Sequence, residues 1–319
     1  MRLLLHIGTP KTGTTALQEF LFLNRDSLKS RGFHQLDGIG KPNNILFTAY
    51  FSEQPPSNIV PRYSAINKLG NLEQKRQHFR ENGFIENLDT QLEKIKQMGG
   101  DVIISSEQLS QHLRTPAEIE NLMEWSKLRF EQVRIACVVR EPRYSIPAAW
   151  ATNVRNRGTR SLEGQLREAL RDLPKGEGHA SYDRLAVARL WSTAFGIASL
   201  DLFDYQEPNL DIRRLFADHY LGGTSGLVLS KSRANESPSR ATVEAWRLAN
   251  LLFQPFDENL KRSPLNLRAR GVLANIVSGV TRPLALTRRQ ARRLAKVTAP
   301  LHEKFNQEFG NAFVKLSND

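Results

Sequence analysis

A glycine-rich segment near the start of the chain combines residue types that bind anions. It reads Gly8-Thr9-Pro10-Lys11-Thr12-Gly13-Thr14-Thr15. The spacing of its glycines is that of a nucleotide-binding P-loop, but Thr14 occupies the position of the P-loop lysine, and the lysine lies inside the loop as Lys11. Converging backbone N–H groups, the positive end of the following helix, threonine hydroxyls and the Lys11 charge would together bind a phosphate. The alternative is a strand-to-helix turn that binds nothing.

An arginine after a later apolar run is a second candidate for binding phosphate. The run Val133–Arg140 leads into Glu141-Pro142-Arg143-Tyr144-Ser145. Pro142 suits the first turn of a helix, so Arg140 is predicted to stand where a strand ends and a helix begins. A solvated arginine at a strand end is the alternative. Because Arg140 occurs in the same chain as the glycine-rich loop, phosphate binding is the favoured interpretation.

Transfer of a group to an acceptor requires a residue that removes the acceptor's proton. The candidates are Glu107 and three histidines, His6, His34 and His112. Glu107 directly follows the apolar run Asp101–Ser106, which places it at the sheet edge beside the loop if both runs are parallel strands. In the alternative interpretation Ser105 and Gln108 form a helix cap, and the helix dipole favours a glutamate between them. His6 lies within an apolar strand and is predicted to be a core residue.

The elements that position these residues follow from hydrophobic periodicity. Short apolar runs predict strands at Leu3–Ile7, Asp101–Ser106, Val133–Arg140 and Ser199–Tyr205. Helices are predicted at Thr14–Ser30, Ile85–Met98, Pro116–Arg129, Pro142–Asn156, Ser161–Leu170, Tyr182–Phe195 and Asp211–Leu221. Apolar strands that alternate with helices predict a three-layer α/β fold of the P-loop type, a parallel sheet with helices on both faces. In such a sheet ligands bind at the carboxyl ends of the strands.

One domain is predicted over residues 1–319. Within it, residues 38–83 contain several prolines and break the helical pattern, so they are predicted to form an irregular insertion or cap. Residues 240–319 are predicted to be a mostly helical C-terminal region. These two segments are expected to shape the pocket of an acceptor.

Two of these motifs resemble those of a known family. Pro10–Thr15, between its strand and its helix, resembles the 5′-phosphosulfate loop of sulfotransferases that use 3′-phosphoadenosine-5′-phosphosulfate (PAPS). The segment from Arg140 resembles the family's 3′-phosphate-binding segment, which begins Arg-Asp-Pro. Trp150 stands where the family has an aromatic residue. The family's serine position is Ala148 here, and Ser145 lies one turn earlier on the same helix face.

A third segment, Lys231–Pro238, is similar to an Arg-x-Asn-x-Ser segment that closes over the nucleotide in many bacterial sulfotransferase-like proteins. The three pieces occur in the family's order, from residue 3 to about residue 240 of 319. The resemblance implies a P-loop-derived sulfotransferase fold and PAPS as the sulfuryl donor. The acceptor would be a hydroxyl or amine, expected on a carbohydrate or another hydroxylated metabolite.

The resemblance also implies roles for particular residues. Lys11 and Glu107 would be catalytic, because glycan sulfotransferases often have a glutamate in a similar Ser-Ser-Glu setting, whereas cytosolic small-molecule sulfotransferases use a histidine. The residues implied to bind PAPS are Pro10, Lys11, Thr12, Gly13, Thr14, Thr15, Arg140, Ser145, Arg233 and Asn235.

A P-loop kinase that uses ATP and magnesium is the main alternative. A phosphoryl group keeps several negative charges, so kinases bind Mg²⁺ through a loop hydroxyl and an acidic residue at a strand end. A sulfuryl group carries one negative charge, and lysine and backbone donors can stabilise its leaving phosphate. Glu107 is an acidic residue that could serve a metal, but no aspartate follows the predicted strands in the metal-binding position. The sequence therefore favours sulfuryl transfer with no metal required.

The chain is strongly basic, with 45 Lys and Arg against 33 Asp and Glu and a net charge of +12. This charge favours anionic partners in general. The basic stretch 287–296 could bind an anionic acceptor or an anionic membrane surface. It also permits a third hypothesis, a nucleic-acid-binding protein without enzymatic activity, but recognised nucleic-acid motifs and interleaved aromatic residues are lacking, so nucleic acid is not the expected partner.

The single cysteine, Cys137, excludes an internal disulfide. The N-terminal apolar run is short and leads into the glycine-rich loop, so it is predicted to be a buried strand rather than a signal peptide. Both features favour a cytoplasmic protein.

Overall fold

The described residues form one sheet of five parallel strands. The structure is a computed structural model that describes residues 1–9, 11–40, 43–53, 71–156, 158–178, 182–205, 211–230, 238–253, 263–280 and 282–314. The strands are β1 (Arg2–His6), β2 (Phe33–Gln35), β3 (Asp101–Ser105), β4 (Gln132–Val139) and β5 (Leu200–Asp204). Their order across the sheet is β2-β3-β1-β4-β5.

Helices occupy most of the connections between the strands. Within the described ranges the α-helices are α1 (Thr14–Leu23), α2 (Arg25–Ser30), α3 (Ile45–Phe51), α4 (Leu72–Glu81), α5 (Phe84–Gln97), α6 (Glu107–His112), α7 (Pro116–Lys127), α8 (Pro142–Arg155), α9 (Leu162–Asp172), α10 (Arg184–Phe195), α11 (Ile212–Tyr220), α12 (Arg240–Leu252), α13 (Pro264–Ile276) and α14 (Arg288–Phe309). The predicted α/β class, with a parallel sheet flanked by helices, is confirmed.

The three central strands are β3, β1 and β4, and their aliphatic side chains are almost completely buried. Leu5 of β1 lies opposite Ile104 of β3 and Ile135 of β4, and none of the three is exposed. Burial on both faces explains why these strands appear in the sequence as continuous apolar runs rather than as alternating patterns. Cys137 belongs to the same core, and burial raises the pKa of its thiol to about 12.

The chain forms two compact units. The first comprises Met1–Arg140, Arg184–Ser232 and Phe305–Asp319, and it contains the sheet. Its core includes Phe20 and Phe216. The second comprises Glu141–Asp183 and Arg233–Lys304, with a core of its own that includes Trp150 and Leu166. The single domain over residues 1–319 stays a prediction.

The predicted helix Thr14–Ser30 is interrupted at Asn24, which separates α1 from α2. The Asn24 amide nitrogen donates to the carbonyls of Phe20 and Val228 over 2.8 and 2.9 Å. Its amide oxygen accepts from the N–H of Val228 over 2.6 Å. The break therefore depends on a segment distant in sequence, which local periodicity does not reveal.

Two further differences concern the region after α2. The sequence pattern missed β2, because three residues are too few to show a period. The prediction of an irregular segment at residues 38–83 is wrong for its described part, where α3 and α4 form. The prolines that interrupted the pattern lie within residues 41–42 and 54–70, outside the described residues, whereas Ile45, Phe47 and Phe51 give α3 a buried face.

Among the helices that the structure describes, none has both the length and the apolar composition needed to cross a membrane.

Candidate active site

The glycine-rich loop between β1 and α1 is fastened to the neighbouring strand β4. The backbone N–H and the hydroxyl of Thr9 both donate to the carbonyl of Val138, over 2.8 and 3.0 Å. The Thr12 hydroxyl donates to the carbonyl of Thr9 over 2.5 Å. Lys11 and Gly13 have positive φ angles of 69° and 79°. A left-handed lysine costs about 1–2 kcal/mol, so these bonds stabilise a strained turn, a feature that is frequent at ligand-binding sites.

The N-terminus of α1 has no side-chain cap, because its N-cap residue is Gly13. Six other described helices are capped by a side chain that accepts a first-turn N–H, from Asn71, Thr115, Ser161, Asp211, Ser239 and Ser263. The helices α2, α3, α5, α6 and α8 lack such a cap, as α1 does. A larger residue does not fit at position 13, since a Cβ there would lie 2.9 Å from Cγ2 of Ile212. The first-turn N–H groups of α1 are thus left to an external acceptor, which an anion can be.

Glu107 contacts the first residue of α1. The hydroxyl of Thr14 donates a hydrogen bond to Oε2 of Glu107, the first residue of α6. The start of α6 is held against the loop by two further bonds. The N–H of Ser106 donates to the carbonyl of His6 over 2.9 Å, and the hydroxyl of Ser110 donates to the carbonyl of Gly8 over 3.2 Å. Glu107 is therefore fixed beside the loop, and its carboxylate is half-buried.

The cap interpretation of this segment is wrong. The N-cap of α6 is Ser106 rather than Ser105, and its side chain makes no capping bond. The Ser105 hydroxyl instead lies 2.8 Å from Nδ1 of His6.

Arg140 lies on the other side of the loop. Its Nη1 donates to the carbonyl of Lys11 over 3.0 Å. The guanidinium carbon lies 5.4 Å from the centroid of the Tyr205 ring, a cation–π contact. Tyr205 is held in turn by its N–H, which donates to the carbonyl of Val139 over 2.8 Å. Arg140 thus follows β4 as predicted, and it supports the backbone of the loop directly.

The strand order explains why these residues converge. Because β1 lies between β3 and β4, the residues after the three strands meet at one edge of the sheet. Glu107 after β3 contacts the loop through Thr14, and Arg140 after β4 contacts it through Lys11. The side chains of Lys11 and Thr15 are exposed, whereas those of Thr12 and Thr14 are buried.

The histidine candidates have other surroundings. His6 is fully buried below the loop, and burial lowers its pKa to about 3, so its ring is neutral. A Cβ on Gly8 would lie 2.7 Å from Nε2 of His6, which explains the first glycine of the loop. His34 is in β2, where burial lowers its pKa, and Nε2 of His112 lies 3.1 Å from Oε1 of Gln108.

The remaining predicted PAPS ligands are not brought into this cluster by a described contact. In the second unit, the hydroxyl of Ser145 is buried and donates to the carbonyl of Glu141 over 3.2 Å, so its contact with a nucleotide stays a prediction. Trp150 is a core residue of that unit. The other three predicted ligands, Pro10, Arg233 and Asn235, lie outside the described residues.

Sequence reasoning did not find two residues that support the site. Tyr205, which contacts Arg140, ends the predicted strand Ser199–Tyr205. Its position at the end of a strand could have identified it as a site residue. Ser110 lies one turn after Glu107 and fastens α6 to Gly8. No local pattern distinguishes it from other helical serines.

No model of a known protein family matches the chain, and no curated protein sequence matches it. The chain is similar to a crystal structure of a sulfotransferase from Alicyclobacillus acidocaldarius, with 15% sequence identity and a TM-score of 0.42. The similarity covers 85% of this chain and 95% of that one.

Proposed function

We propose that this protein is a sulfotransferase that transfers a sulfuryl group from PAPS to a hydroxyl or amine of an acceptor. One observation carries the proposal: the anion-binding loop lies between a carboxylate, Glu107, and a guanidinium, Arg140, and contacts both. A carboxylate on one side can accept a proton from an acceptor. Cationic groups at the loop and on its other side can bind the two phosphate-containing ends of the donor.

The groups at the carboxyl edge of the sheet fit PAPS. The uncapped N-terminus of α1 and the exposed ammonium of Lys11 suit the phosphosulfate end, where the charge is concentrated on non-bridging oxygens. Arg140 suits the 3′-phosphate, because its guanidinium is charged and is held beside the loop by the carbonyl of Lys11. When bound, PAPS supplies an activated sulfuryl group.

Glu107 is the proposed general base. The acceptor oxygen forms a bond to sulfur while the bond between sulfur and the 5′-phosphate oxygen breaks, and the acceptor's proton passes to the Glu107 carboxylate. The Thr14 hydroxyl orients that carboxylate by donating to Oε2. Oε1 is the oxygen directed to the acceptor, since the amide of Gln108 approaches it only to 3.5 Å.

Lys11 is the proposed stabiliser of the leaving group. Negative charge grows on the oxygen between sulfur and the 5′-phosphate as the bond breaks, so a cation near that oxygen stabilises the transition state more than the ground state. The side chain of Lys11 is exposed at the loop, and Arg140 holds its backbone in place. Lys11 would also keep the phosphate end bound before transfer.

A magnesium-dependent kinase is the second candidate, and the same contact supports it. A loop hydroxyl beside a carboxylate at a strand end is the pair that binds Mg²⁺ in P-loop kinases, and Thr14 with Glu107 could form it. The two candidates differ in the nucleotide and in the need for a divalent ion.

Calorimetric titration of four nucleotides separates the candidates: 3′,5′-ADP (PAP), 5′-AMP, ADP and ATP, each with EDTA and with Mg²⁺. For a sulfotransferase, PAP binds in EDTA at least about tenfold more tightly than 5′-AMP, as one charge-assisted bond to the extra phosphate requires. Arg140→Gln should abolish this difference. Arg2→Gln is the matched control, because it removes one positive charge at the opposite end of β1. Equal affinities for PAP and 5′-AMP, or binding of ATP that depends on magnesium, would exclude the sulfotransferase.

A further inference from the structure

A pocket of about 270 Å³ lies in the first unit beside the candidate active site. Its apolar lining comes from α1, β3 and the segment after β2, and consists of Leu21, Phe22, Leu36, Ile39 and Ile103. None of the described residues that line it is charged. Its volume is just below the range of about 300–1,000 Å³ that is usual for small-molecule sites, so it suits a single ring or a short chain.

The polar residues that line the pocket are Gln18, Gln35, Asn44 and Ser105. The amide nitrogens of Gln18 and Asn44 donate to the carbonyl of Ser105 over 3.3 and 3.0 Å. The amide nitrogen of Gln35 donates to the carbonyl of Leu21 over 2.6 Å. Each amide nitrogen carries a second N–H, and each amide oxygen accepts hydrogen bonds, so the amides can pair with a ligand that donates or accepts. The pocket therefore matches an uncharged ligand with an apolar body and a polar group such as a hydroxyl or an amine.

The pocket and the proposed base lie one helical turn apart. Thr14 and Gln18 are four residues apart and share one face of α1. Thr14 contacts Glu107 and Gln18 contacts Ser105, so the Gln18 wall of the pocket lies about 5–6 Å along α1 from the residue that holds the carboxylate. A ligand in the pocket would need to extend over about one helical turn to bring a hydroxyl group to Glu107.

We infer that this pocket holds the acceptor, and that the acceptor is an uncharged, mainly apolar alcohol or amine. This narrows the expected carbohydrate or hydroxylated metabolite to a compound with an apolar body. The role of the ligand as an acceptor rests on the proposed function, whereas the binding of an apolar ligand in this pocket does not.

Titration with 2-naphthol as the probe, with and without saturating PAP, tests the pocket. Phe22→Arg, which places a charge on the wall, should weaken 2-naphthol binding at least about tenfold. Leu23→Arg is the matched control, because Leu23 is 55% exposed next to Phe22 at 57% and does not line the pocket. PAP affinity should be unchanged in both variants. Equal 2-naphthol affinity in the two variants, or tighter binding of N-acetylglucosamine than of 2-naphthol, overturns the inference. A protein that binds 2-naphthol but not PAP refutes the proposed function and leaves the pocket in place.

A second inference concerns α13 in the second unit, which is polar on its buried face and apolar on its exposed face. The buried side chains are Asn266 and Arg270, at 2% and 7% exposure. Three large apolar side chains, Leu265, Val272 and Ile276, are 64%, 60% and 72% exposed. This is the reverse of an ordinary surface helix, whose apolar stripe faces the core.

A buried polar network holds α13 in this orientation. Arg270 donates from Nη2 to the carbonyl of Val154 over 2.9 Å and from Nη1 to that of Arg155 over 3.1 Å. Its Nε lies 3.1 Å from Oδ1 of Asn250 on α12. Asn266 donates to the carbonyl of Ala249 over 3.2 Å. Rotating α13 would break these bonds, so the outward apolar face is fixed by the fold.

The exposed apolar residues continue onto α12, and the sequence from α13 onward is strongly basic. Leu248, Leu251 and Leu252 follow helical spacing on α12 and are 44%, 54% and 71% exposed. The sequence from 263 to 302 contains no Asp or Glu. Its exposed basic residues are Arg268, Arg282, Arg288, Arg289, Arg292 and Lys296. The connection between α12 and α13 contains Asp257 and Glu258, which lie outside the described residues, so the excess of positive charge begins with α13. An apolar surface beside such a basic segment is complementary to the interface of an anionic bilayer.

The geometry points to α12 and α13 as an attachment surface for an anionic membrane, with the predicted basic stretch 287–296 as its charged border. The helices would lie in the plane of the interface, with their leucine, valine and isoleucine side chains among the acyl chains.

Co-sedimentation with vesicles tests this surface. The full chain should bind phosphatidylglycerol–phosphatidylcholine vesicles, less at high salt, and phosphatidylcholine vesicles much more weakly. Leu252→Glu and Ile276→Glu should each lower the bound fraction at least about tenfold. Leu128→Glu is the control, because Leu128 is 82% exposed in the first unit. Equal binding to neutral vesicles, no effect of the two variants, or a solution dimer that Leu252→Glu dissociates would overturn the inference.

Discussion

Replacing Gly13 by alanine adds a single carbon atom and tests whether the loop requires glycine at this position. Gly13 has a φ of 79°, where an L-residue costs about 1–2 kcal/mol. The added Cβ would also lie 2.9 Å from Cγ2 of Ile212, well inside the usual carbon–carbon contact of about 3.5–4.0 Å. Overpacking of this kind costs about 1–3 kcal/mol. Gly13→Ala should therefore lower the free energy of unfolding of the first unit by about 2–5 kcal/mol.

Gly83 offers a matched control. It is also the N-cap of a helix, α5, and its φ is 66°, but a Cβ there would have nothing within 4 Å. Gly83→Ala should therefore show the conformational cost alone, about 1–2 kcal/mol. The difference in the free energy of unfolding between the two variants therefore measures the cost of the contact with Ile212 and of the displacement of the loop.

Thermal unfolding and PAP titration measure the two effects. With about 2–4 °C per kcal/mol for units of this size, the midpoint should fall by about 4–20 °C for Gly13→Ala and about 2–8 °C for Gly83→Ala. PAP affinity should fall at least about tenfold in the first variant and stay unchanged in the second, because only Gly13 belongs to the loop. Equal midpoints and equal PAP affinities in the two variants would refute this account of the loop.

Three further predictions concern single residues. Lys11→Ala should lower the rate of sulfuryl transfer from PAPS by about 10²–10³-fold and weaken PAP binding by a smaller factor. Lys29 is an exposed lysine on α2, and Lys29→Ala should change neither the rate nor PAP binding. If Lys11→Ala weakened PAP binding and left the rate intact, Lys11 would bind the ground state and would not stabilise the leaving group. Glu107→Gln should keep PAP affinity and lower the rate by about 10²–10⁴-fold, and an unchanged rate would remove Glu107 as the base. The pKa of Glu163 is lowered to about 2 from 4.5, chiefly by a hydrogen bond from Arg293, so its stabilising contribution is present above pH 4.5 and is lost as the pH falls toward about 2. The difference in unfolding midpoint between the wild type and Glu163→Gln should therefore shrink over that interval, and a constant difference would contradict the assignment.

The sequence predicted the parts of the site that depend on neighbouring residues. The loop is a local motif, and the places of Glu107 and Arg140 follow from the ends of apolar strands. The contacts between these parts were not predicted, because Thr14 and Glu107 are 93 residues apart and Lys11 and Arg140 are 129 apart. Those contacts require the order of the strands, which hydrophobic periodicity does not determine.

Burial was harder to predict than secondary structure. The helix that contains Ser145 begins as expected, yet its serine turns to the carbonyl of Glu141. The apolar residues of α13 would normally identify its buried face, but the network around Arg270 makes the polar face the inner one. In both cases the decisive partner lies on the backbone or on another helix, and composition alone does not identify it.

The two bonds from Thr9 to the carbonyl of Val138 have a consequence for ligands with two charged ends. Val138 lies two residues before Arg140 on the same chain, so the loop and the guanidinium are parts of one stiff body. If one anionic end of a ligand binds at the loop, as proposed, its second end would meet Arg140 at a high effective concentration, without a further cost of ordering the protein. The loop and Arg140 would then select ligands by the distance between their charges as well as by the number of charges.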